Sequence, residues 1–323
     1  MKQRQLQDQS VSEVGLGTWQ IGGSWGEVSE AESLAILREA YENGVNFFDT
    51  ANVYGDGKSE QLIAKFLQQS GAKDVFVATK LGRGAQFPDV SEGILRSHTE
   101  GSLSRLGVES LDLTQLHCVP TEELRKGEVF ETLRALKQEG KIQRFGASVE
   151  SMEEAHLCLK QDGLASLQII FNIFRQKPIA DLFDAAQEKG VALIVRLPLA
   201  SGLLSGKMTP QTQFDKGDHR NFNRDGAAFN VGETFAGLGF EKGVELSEKL
   251  KPLVPEGLTM AQMSQRWILD FPAVTTIIPG ASKSSQVQSN VSVSELAPLS
   301  DELHAQLRDF YESDVKEFVR GPY

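Results

Sequence analysis

Cysteine is scarce. Cys118 and Cys158 are the only two in 323 residues, and they show neither a CxxC pair nor metal-ligand spacing. That speaks against a disulfide framework and fits a reducing compartment, so a cytoplasmic location is expected. Positive charge is also short: 33 Lys and Arg face 44 Asp and Glu, a net charge of −11. Such a balance argues against nucleic acid or an anionic membrane as a general partner, and an anionic ligand must meet a local basic patch. No apolar run approaches membrane-spanning length, and Met1–Gln7 lacks the apolar core of a secretory leader. The dinucleotide fingerprint is incomplete, because Gly15-x-Gly17 runs into Trp19-Gln20 without a third glycine or a long helix. His98, His156, His219 and His304 lack metal spacing and read as surface or packing residues, so no metal is expected.

What is present is a regular beat. A hydrophobic content of 40% with 24% charged residues describes a soluble globular chain with ample core. Residues 1–12 suit a short capping hairpin, and strands are expected near positions 14, 45, 75, 111, 142, 166, 191 and 274. Helices fall between them, over 30–42, 59–69, 91–106, 128–138, 151–160 and 179–189. Strand and helix alternating in this way require parallel strands with helical crossovers. Eight such units close into a single (β/α)8 barrel over 1–323, an α/β fold with an extra C-terminal helix from Ser300 to Phe318. The rhythm breaks once, between strands 191–196 and 274–278. Pro198–Lys207 is turn-rich, and 208–240 has no clean period although it carries Phe214, Phe222, Phe229, Phe235 and Phe240. Five aromatic rings argue against full disorder, so 208–240 is expected to be a lid, followed by helices 241–250 and 259–270.

Chemistry-bearing residues gather at strand ends. Val45–Phe48 is a short apolar run that ends in Asp49-Thr50, with Tyr54-Gly55 in the following turn. A second strand pattern closes on Thr79-Lys80, and a third on Gln115-Leu116-His117. Each residue alone has an ordinary structural explanation. Together, a carboxylate, a phenol, an amine and an imidazole at three successive strand ends make a proton-relay set. An ammonium lowers a phenol's pKa, a carboxylate holds that ammonium, and an imidazole orients a carbonyl oxygen. In a parallel barrel, chemistry sits at the carboxyl ends of the strands.

Phe48-Asp49-Thr50-Ala51-Asn52-Val53-Tyr54-Gly55, Thr79-Lys80 and Gln115-Leu116-His117 resemble the signature blocks of the aldo-keto reductases. The resemblance extends along nearly the whole chain. It implies a catalytic tetrad of Asp49, Tyr54, Lys80 and His117, with Tyr54 as general acid in the reduction of aldehydes and ketones by NADPH, NADH being the second choice. It also implies that Thr18 and Trp19 lie beside the nicotinamide, and that Asp49, Ser148 and Gln168 border its carboxamide end. Val149 departs from the family pattern by replacing an asparagine. Arg196 stands where an aromatic ring often stacks on the nicotinamide, and a planar guanidinium can stack as well. By the same resemblance Leu197, Leu199 and Ser201 face the pyrophosphate with Lys207 as a counter-charge, and Arg220 contributes from the lid. Gly280, Ser282, Lys283, Gln286 and Asn290 match the segment for the adenosine 2′-phosphate and adenine, although Gln286 replaces the usual arginine. Serines that open a helix, with a lysine in its first turn, suit a phosphate on their own account.

Trp19, Trp25, Tyr54, Phe87 and His117 are the expected substrate-pocket residues, with Tyr323 in the tail near the mouth. The expected partner is a small carbonyl compound, with the chain a monomer or a weak homo-oligomer. Two other classes fit some of the same residues. Lys80 could form a Schiff base, as in an aldolase-like lyase, or the barrel could bind NADPH as a redox-sensing regulatory subunit.

Overall fold

The computed structural model describes residues 1–23 and 28–323. An antiparallel hairpin comes first, β1 (Gln3–Leu6) with β2 (Gln9–Ser12). Eight parallel strands follow: β3 (Leu16–Gly17), β4 (Phe47–Asp49), β5 (Phe76–Leu81), β6 (Leu113–His117), β7 (Phe145–Ser148), β8 (Leu164–Ile170), β9 (Ala192–Arg196) and β10 (Val274–Ile277). They pair in sequence order. The ring is completed by parallel bridges Val14–Ile277 and Gly17–Gly280, with Gly15 N donating to Ile277 O at 2.8 Å. Eight strands leave an interior just wide enough for side chains to fill.

The crossovers are helical. The helices are α1 (Trp19–Gly22), α2 (Glu30–Glu42), α3 (Lys58–Ser70), α4 (Glu92–Leu106), α5 (Thr121–Lys126), α6 (Glu128–Gln138), α7 (Met152–Leu159), α8 (Pro178–Asp181), α9 (Phe183–Glu188), α10 (His219–Phe222), α11 (Phe240–Leu250), α12 (Met260–Leu269), α13 (Ser284–Ser292) and α14 (Asp301–Phe310). Local chemistry sets their starts. Ser29 and Glu32 form a reciprocal capping box on α2, Thr259 and Gln262 do the same on α12, and Ser151 caps α7. The helix expected over 179–189 is broken at Leu182, whose φ of −131° separates α8 from α9. The tail helix ends at Phe310 and continues as a wider turn over Tyr311–Val315.

The barrel interior is layered. Toward the hairpin it is apolar: Leu6 and Val11 of the hairpin close on Phe47, Phe76, Leu113 and Ile194. Toward the opposite end it turns polar. Register aligns Lys80 with Gln115, Gln115 with Gly146 and Gly146 with Ser166, and one step higher His117 with Ser148 and Ser148 with Gln168. Gly146 has no substitute here, because a Cβ would meet Ser166 Oγ at 2.2 Å and Ser166 O at 2.6 Å. A layer of buried polar side chains therefore lies directly beneath the loops at the carboxyl ends of the strands, where every member needs a partner.

Candidate active site

Asp49 is the last residue of β4 and is buried, so its carboxylate must find partners inside the barrel. Lys80 Nζ, from β5, lies 2.5 Å from Asp49 Oδ1. The same amine donates to Thr50 O at 2.9 Å and to the Tyr54 hydroxyl at 3.2 Å. Asp49 Oδ2 accepts from Gln168 Nε2 at 2.7 Å and from Gln115 Nε2 at 3.4 Å. His117 ends β6 with its ring edge-on to the Tyr54 ring, centroids 5.9 Å apart. Asp49, Tyr54, Lys80 and His117 therefore converge, although they lie far apart along the chain.

Burial opposes the charge on Lys80, yet Asp49 and Tyr54 beside it win and hold the amine above its usual range. Burial also raises the Asp49 carboxyl, against which Lys80 and the two glutamines pull down. Lys80 thus remains an ammonium with Asp49 as its counter-ion. Tyr54 departs from the expectation drawn from its neighbours. The ammonium does lower the phenol, but burial outweighs it and Asp49 adds to the rise, so the net shift is upward. Burial, together with Arg83, Lys80 and Arg196, holds the His117 imidazole well below its ordinary value. At neutral pH the group is uncharged and can donate one N–H.

A cavity of about 630 Å³ opens above this cluster. Asp49, Tyr54 and His117 line its floor, with Thr18, Trp19, Ser148, Gln168 and Arg196 around them. Leu197, Leu199, Ser201 and Lys207 line one flank, and Arg220 reaches it from the lid. The far end is lined by Gly280 and Ser282 just ahead of α13 and by Gln286 and Asn290 along it. The cavity is therefore long, running from the Tyr54 phenol to the N-terminus of a helix. Left-handed backbone at Leu197 (φ 54°), Ala200 (φ 48°) and Ser201 (φ 56°) shapes the flank. Such conformations cost non-glycine residues on the order of 1–3 kcal/mol each and concentrate at ligand sites. Ser201 Oγ donates to Glu233 O at 3.2 Å and accepts from Phe235 N at 3.1 Å, which stitches the lid to this flank.

Several expected residues are placed differently. Lys283 is exposed at the N-cap of α13 and is absent from the cavity lining. Gln286 Oε1 accepts from Ser282 N at 2.7 Å and from Ser282 Oγ at 3.2 Å, a local cap in place of the usual arginine. Phe87 stands off the main cavity, 40% exposed, on the wall of a second one of about 620 Å³. Tyr323 lines neither; its hydroxyl bonds Tyr311 Oη at 2.7 Å, and its ring lies 4.2 Å from the Arg175 guanidinium. Trp25 lies outside the described residues. His219 is a packing residue, fully buried against Trp19 with ring centroids 4.7 Å apart.

Other residues were not foreseen. Glu233, from the lid, reaches Arg83 at 3.5 Å and Arg196 at 3.6 Å, and Arg83 also pairs with Glu150 at 3.1 Å. Gln115 was legible in principle, since alternation along β6 puts it on the same face as His117. Glu233 left no signal, because a lid without period hides which side chains turn inward. Cys118, Glu150 and Glu233 have ligating atoms within 4.8 Å of one another. The two guanidinium groups already supply their counter-charge, which makes this an ion-pair network.

The profile of the aldo/keto reductase family matches residues 13–312. The chain belongs to that family. An aldo-keto reductase of Bacillus subtilis (strain 168), YhdN, is 30% identical over 86% of this chain and 84% of its own. An NADH-specific methylglyoxal reductase of Escherichia coli (strain K12) is 28% identical over 88% and 90%. Among solved structures, a glycerol dehydrogenase from Gluconobacter oxydans superposes with a TM-score of 0.80 at 30% identity, covering 97% of this chain and 96% of that one. The fold is thus the (β/α)8 barrel of the aldo-keto reductases, and the chain is an NAD(P)H-dependent oxidoreductase acting on carbonyl compounds. Among the described residues, no helix is long and apolar enough to cross a membrane.

Proposed function

We propose that this aldo-keto reductase reduces small aldehydes and ketones to alcohols with Tyr54 as the general acid, and that it uses NADPH in preference to NADH. The observation that carries the reading is the hydrogen-bonded chain Asp49–Lys80–Tyr54, with Lys80 Nζ 3.2 Å from the phenol oxygen at the floor of the long cavity. The cavity suits a dinucleotide: one end holds the proton donor, the other the first turn of α13, and Lys207 supplies positive charge between them, while Arg220 is paired with Asp218. When bound, the reduced nicotinamide supplies a hydride to the carbonyl carbon. The chain's own residues do the rest. Tyr54 and His117 hold the carbonyl oxygen by two donated hydrogen bonds. Tyr54 passes its proton to that oxygen as negative charge builds there, and Lys80 stabilises the phenolate left behind. The phenol is protonated at neutral pH, and the Lys80 ammonium offsets part of the rise that burial imposes on it.

NADPH preference rests on Lys283, an exposed ammonium at the N-cap of α13 just outside the cavity wall, and on the N-terminal end of that helix, whose dipole favours a 2′-phosphate. The Schiff-base reading is disfavoured by the same geometry. Lys80 gives hydrogen bonds to Asp49, Thr50 and Tyr54, which keeps the amine protonated and without a free lone pair.

A panel of short aldehydes, ketones and hydroxy-carbonyls assayed with NADPH and NADH in parallel tests the assignment. Wild type is expected to oxidise NADPH faster than NADH. The Tyr54→Phe variant is expected to lose at least about 100-fold in kcat while binding the dinucleotide normally by fluorescence titration. Wild-type turnover by Tyr54→Phe would remove the phenol from its role, and faster oxidation of NADH would reverse the cofactor assignment.

A further inference from the structure

Four charged side chains stand between the two cavities; none of them bonds the proton-relay residues directly, although Arg83 and Arg196 help to keep His117 uncharged. Arg83 comes from the loop after β5, Glu150 from the loop after β7, Arg196 from the end of β9 and Glu233 from the lid. Arg83 Nη2 hydrogen-bonds Glu150 Oε1 at 3.1 Å and lies 3.5 Å from Glu233 Oε1, and Arg196 Nη1 lies 3.6 Å from the same Glu233 oxygen. Arg83 lines both cavities, Arg196 and Glu233 line the one above Tyr54, and Glu150 lines the other. Arg83, Arg196 and Glu233 share the lining of the cavity that holds Tyr54 and His117, so a carbonyl compound bound there has these charges within the same cavity.

With both carboxylates ionised, two positive and two negative charges cancel. An anionic group on the substrate then gives up water and finds every cation already committed to a glutamate. With a proton on Glu150, the quartet carries one net positive charge and Arg83 loses its closest competitor for an incoming carboxylate. We propose that Glu150 sets the charge class of the substrate: ionised, it restricts the reacting centre to uncharged carbonyl compounds; neutral, it frees Arg83 to hold a carboxylate at the substrate's far end. This inference rests on the carbonyl-reductase reading above.

The surroundings of Glu150 support a change of state near neutrality. Burial and the facing Glu233 push its carboxyl up, with Arg196 and Arg83 pulling down, to about 7. Burial pushes the Cys118 thiol up to about 12, so it stays neutral. Glu154, on α7, spends one carboxylate oxygen on Glu150 N at 2.8 Å and the other on Thr121 Oγ1 at 2.7 Å. Arg175 is a further positive charge that senses Glu150. Glu150 faces Glu233, so the proton is shared between them as a pair; a raised carboxyl keeps it to higher pH than an ordinary glutamate does, and acidification is the direction that admits anions.

The test compares succinic semialdehyde with its methyl ester, two substrates that differ by one charge far from the carbonyl. The readout is the ratio of their kcat/KM values, acid over ester, from about pH 6 to about pH 8.5. In wild type the ratio is expected to fall about tenfold with rising pH, through KM of the acid rather than kcat. In Glu150→Gln it is expected to be high and flat, and in Glu150→Gln/Arg83→Met low and flat. A wild-type ratio without slope overturns the proposal, and so does a Glu150→Gln ratio that tracks wild type. The wild-type profile decides the matter even if the variants fold poorly. If the ester itself is not reduced with either dinucleotide, the reductase reading falls and this inference with it; reduction of the ester with an unmoved ratio removes the role of Glu150 alone.

Discussion

A buried lysine whose hydrogen bonds go to Asp49, Thr50 and Tyr54 has both a structural and a chemical task, and the two separate by substitution. Replacing Lys80 by Met leaves Asp49 ionised in the barrel interior without its counter-ion. That should cost about 3–5 kcal/mol of folding stability in a denaturant titration. Asp49→Asn/Lys80→Met removes both charges and keeps an amide for Gln168 to bond, so most of the loss should return while turnover stays absent. Tyr54→Phe should cost no more than about 1.5 kcal/mol, since it deletes a single hydrogen bond. Equal losses for Lys80→Met and the double variant would mean that the pair is not the electrostatic unit described. The pH sign is fixed as well. Lys80 lies above its unfolded value, so its stabilisation is complete below about 10.4 and is lost as pH rises through the folded value. These four side chains were legible in the sequence because each closes or follows a short apolar run, and strand ends are countable. Of the charged quartet only Arg196, at the end of a strand, was. Arg83, Glu150 and Glu233 sit in loops, where no period tells an inward side chain from an outward one.

At the scale of elements, the lid shows how a segment without long helices holds one conformation. Asn223 is fully buried. Its Oδ1 accepts from Ala228 N and Phe229 N, each at 2.9 Å, and its Nδ2 donates to Thr234 Oγ1 at 3.0 Å. One amide thus ties both ends of the turn that places Phe229, a ring lining both cavities. Phe235 and Phe240 are buried and pack together at 5.1 Å between centroids, with Phe214 against both. The five aromatic residues of 208–240 indicated order, and the structure shows most of them engaged. Only Phe222 is largely exposed, at 43%. Asn223→Ala strands three partners, so local opening should become about 1–3 kcal/mol easier. Limited proteolysis between 208 and 240 should then run at least about fivefold faster, with bound dinucleotide restoring protection. Unchanged cleavage would show that the apolar contacts alone hold the lid. Most element positions elsewhere followed from caps and periodicity to within a few residues. Two exceptions are α5, a short helix in the segment after His117 that no expectation named, and the break at Leu182, a local backbone turn that helical periodicity does not encode.

For the molecule as a whole, the question is what holds the first unit of the ring to the last. At that seam β3 contributes only two residues and meets the final unit through isolated bridges in place of a continuous strand pair. The hairpin compensates from below. Arg4 donates to Val274 O at 2.6 Å, to Phe271 O at 3.2 Å and to Leu269 O at 2.5 Å, while its Nε reaches Glu13 Oε2 at 3.0 Å. Glu13 is buried and also accepts from Ser294 Oγ at 2.9 Å, with Arg266 at 3.8 Å. A single guanidinium therefore clamps the hairpin to the end of α12 and the start of β10, across the seam. Its charge is partly exposed, so the ion-pair share is discounted for screening, and the three carbonyl bonds carry most of the effect. Arg4→Ala should lower global stability by about 2–4 kcal/mol, read as an earlier midpoint in urea. Arg4 is at the hairpin end of the barrel and Tyr54 at the other, so kcat/KM of the folded fraction should stay at the wild-type level. A loss of activity at full folding would mean that the seam transmits its state through the barrel to the catalytic end. An unmoved midpoint would shift the burden of closure to the bridges themselves.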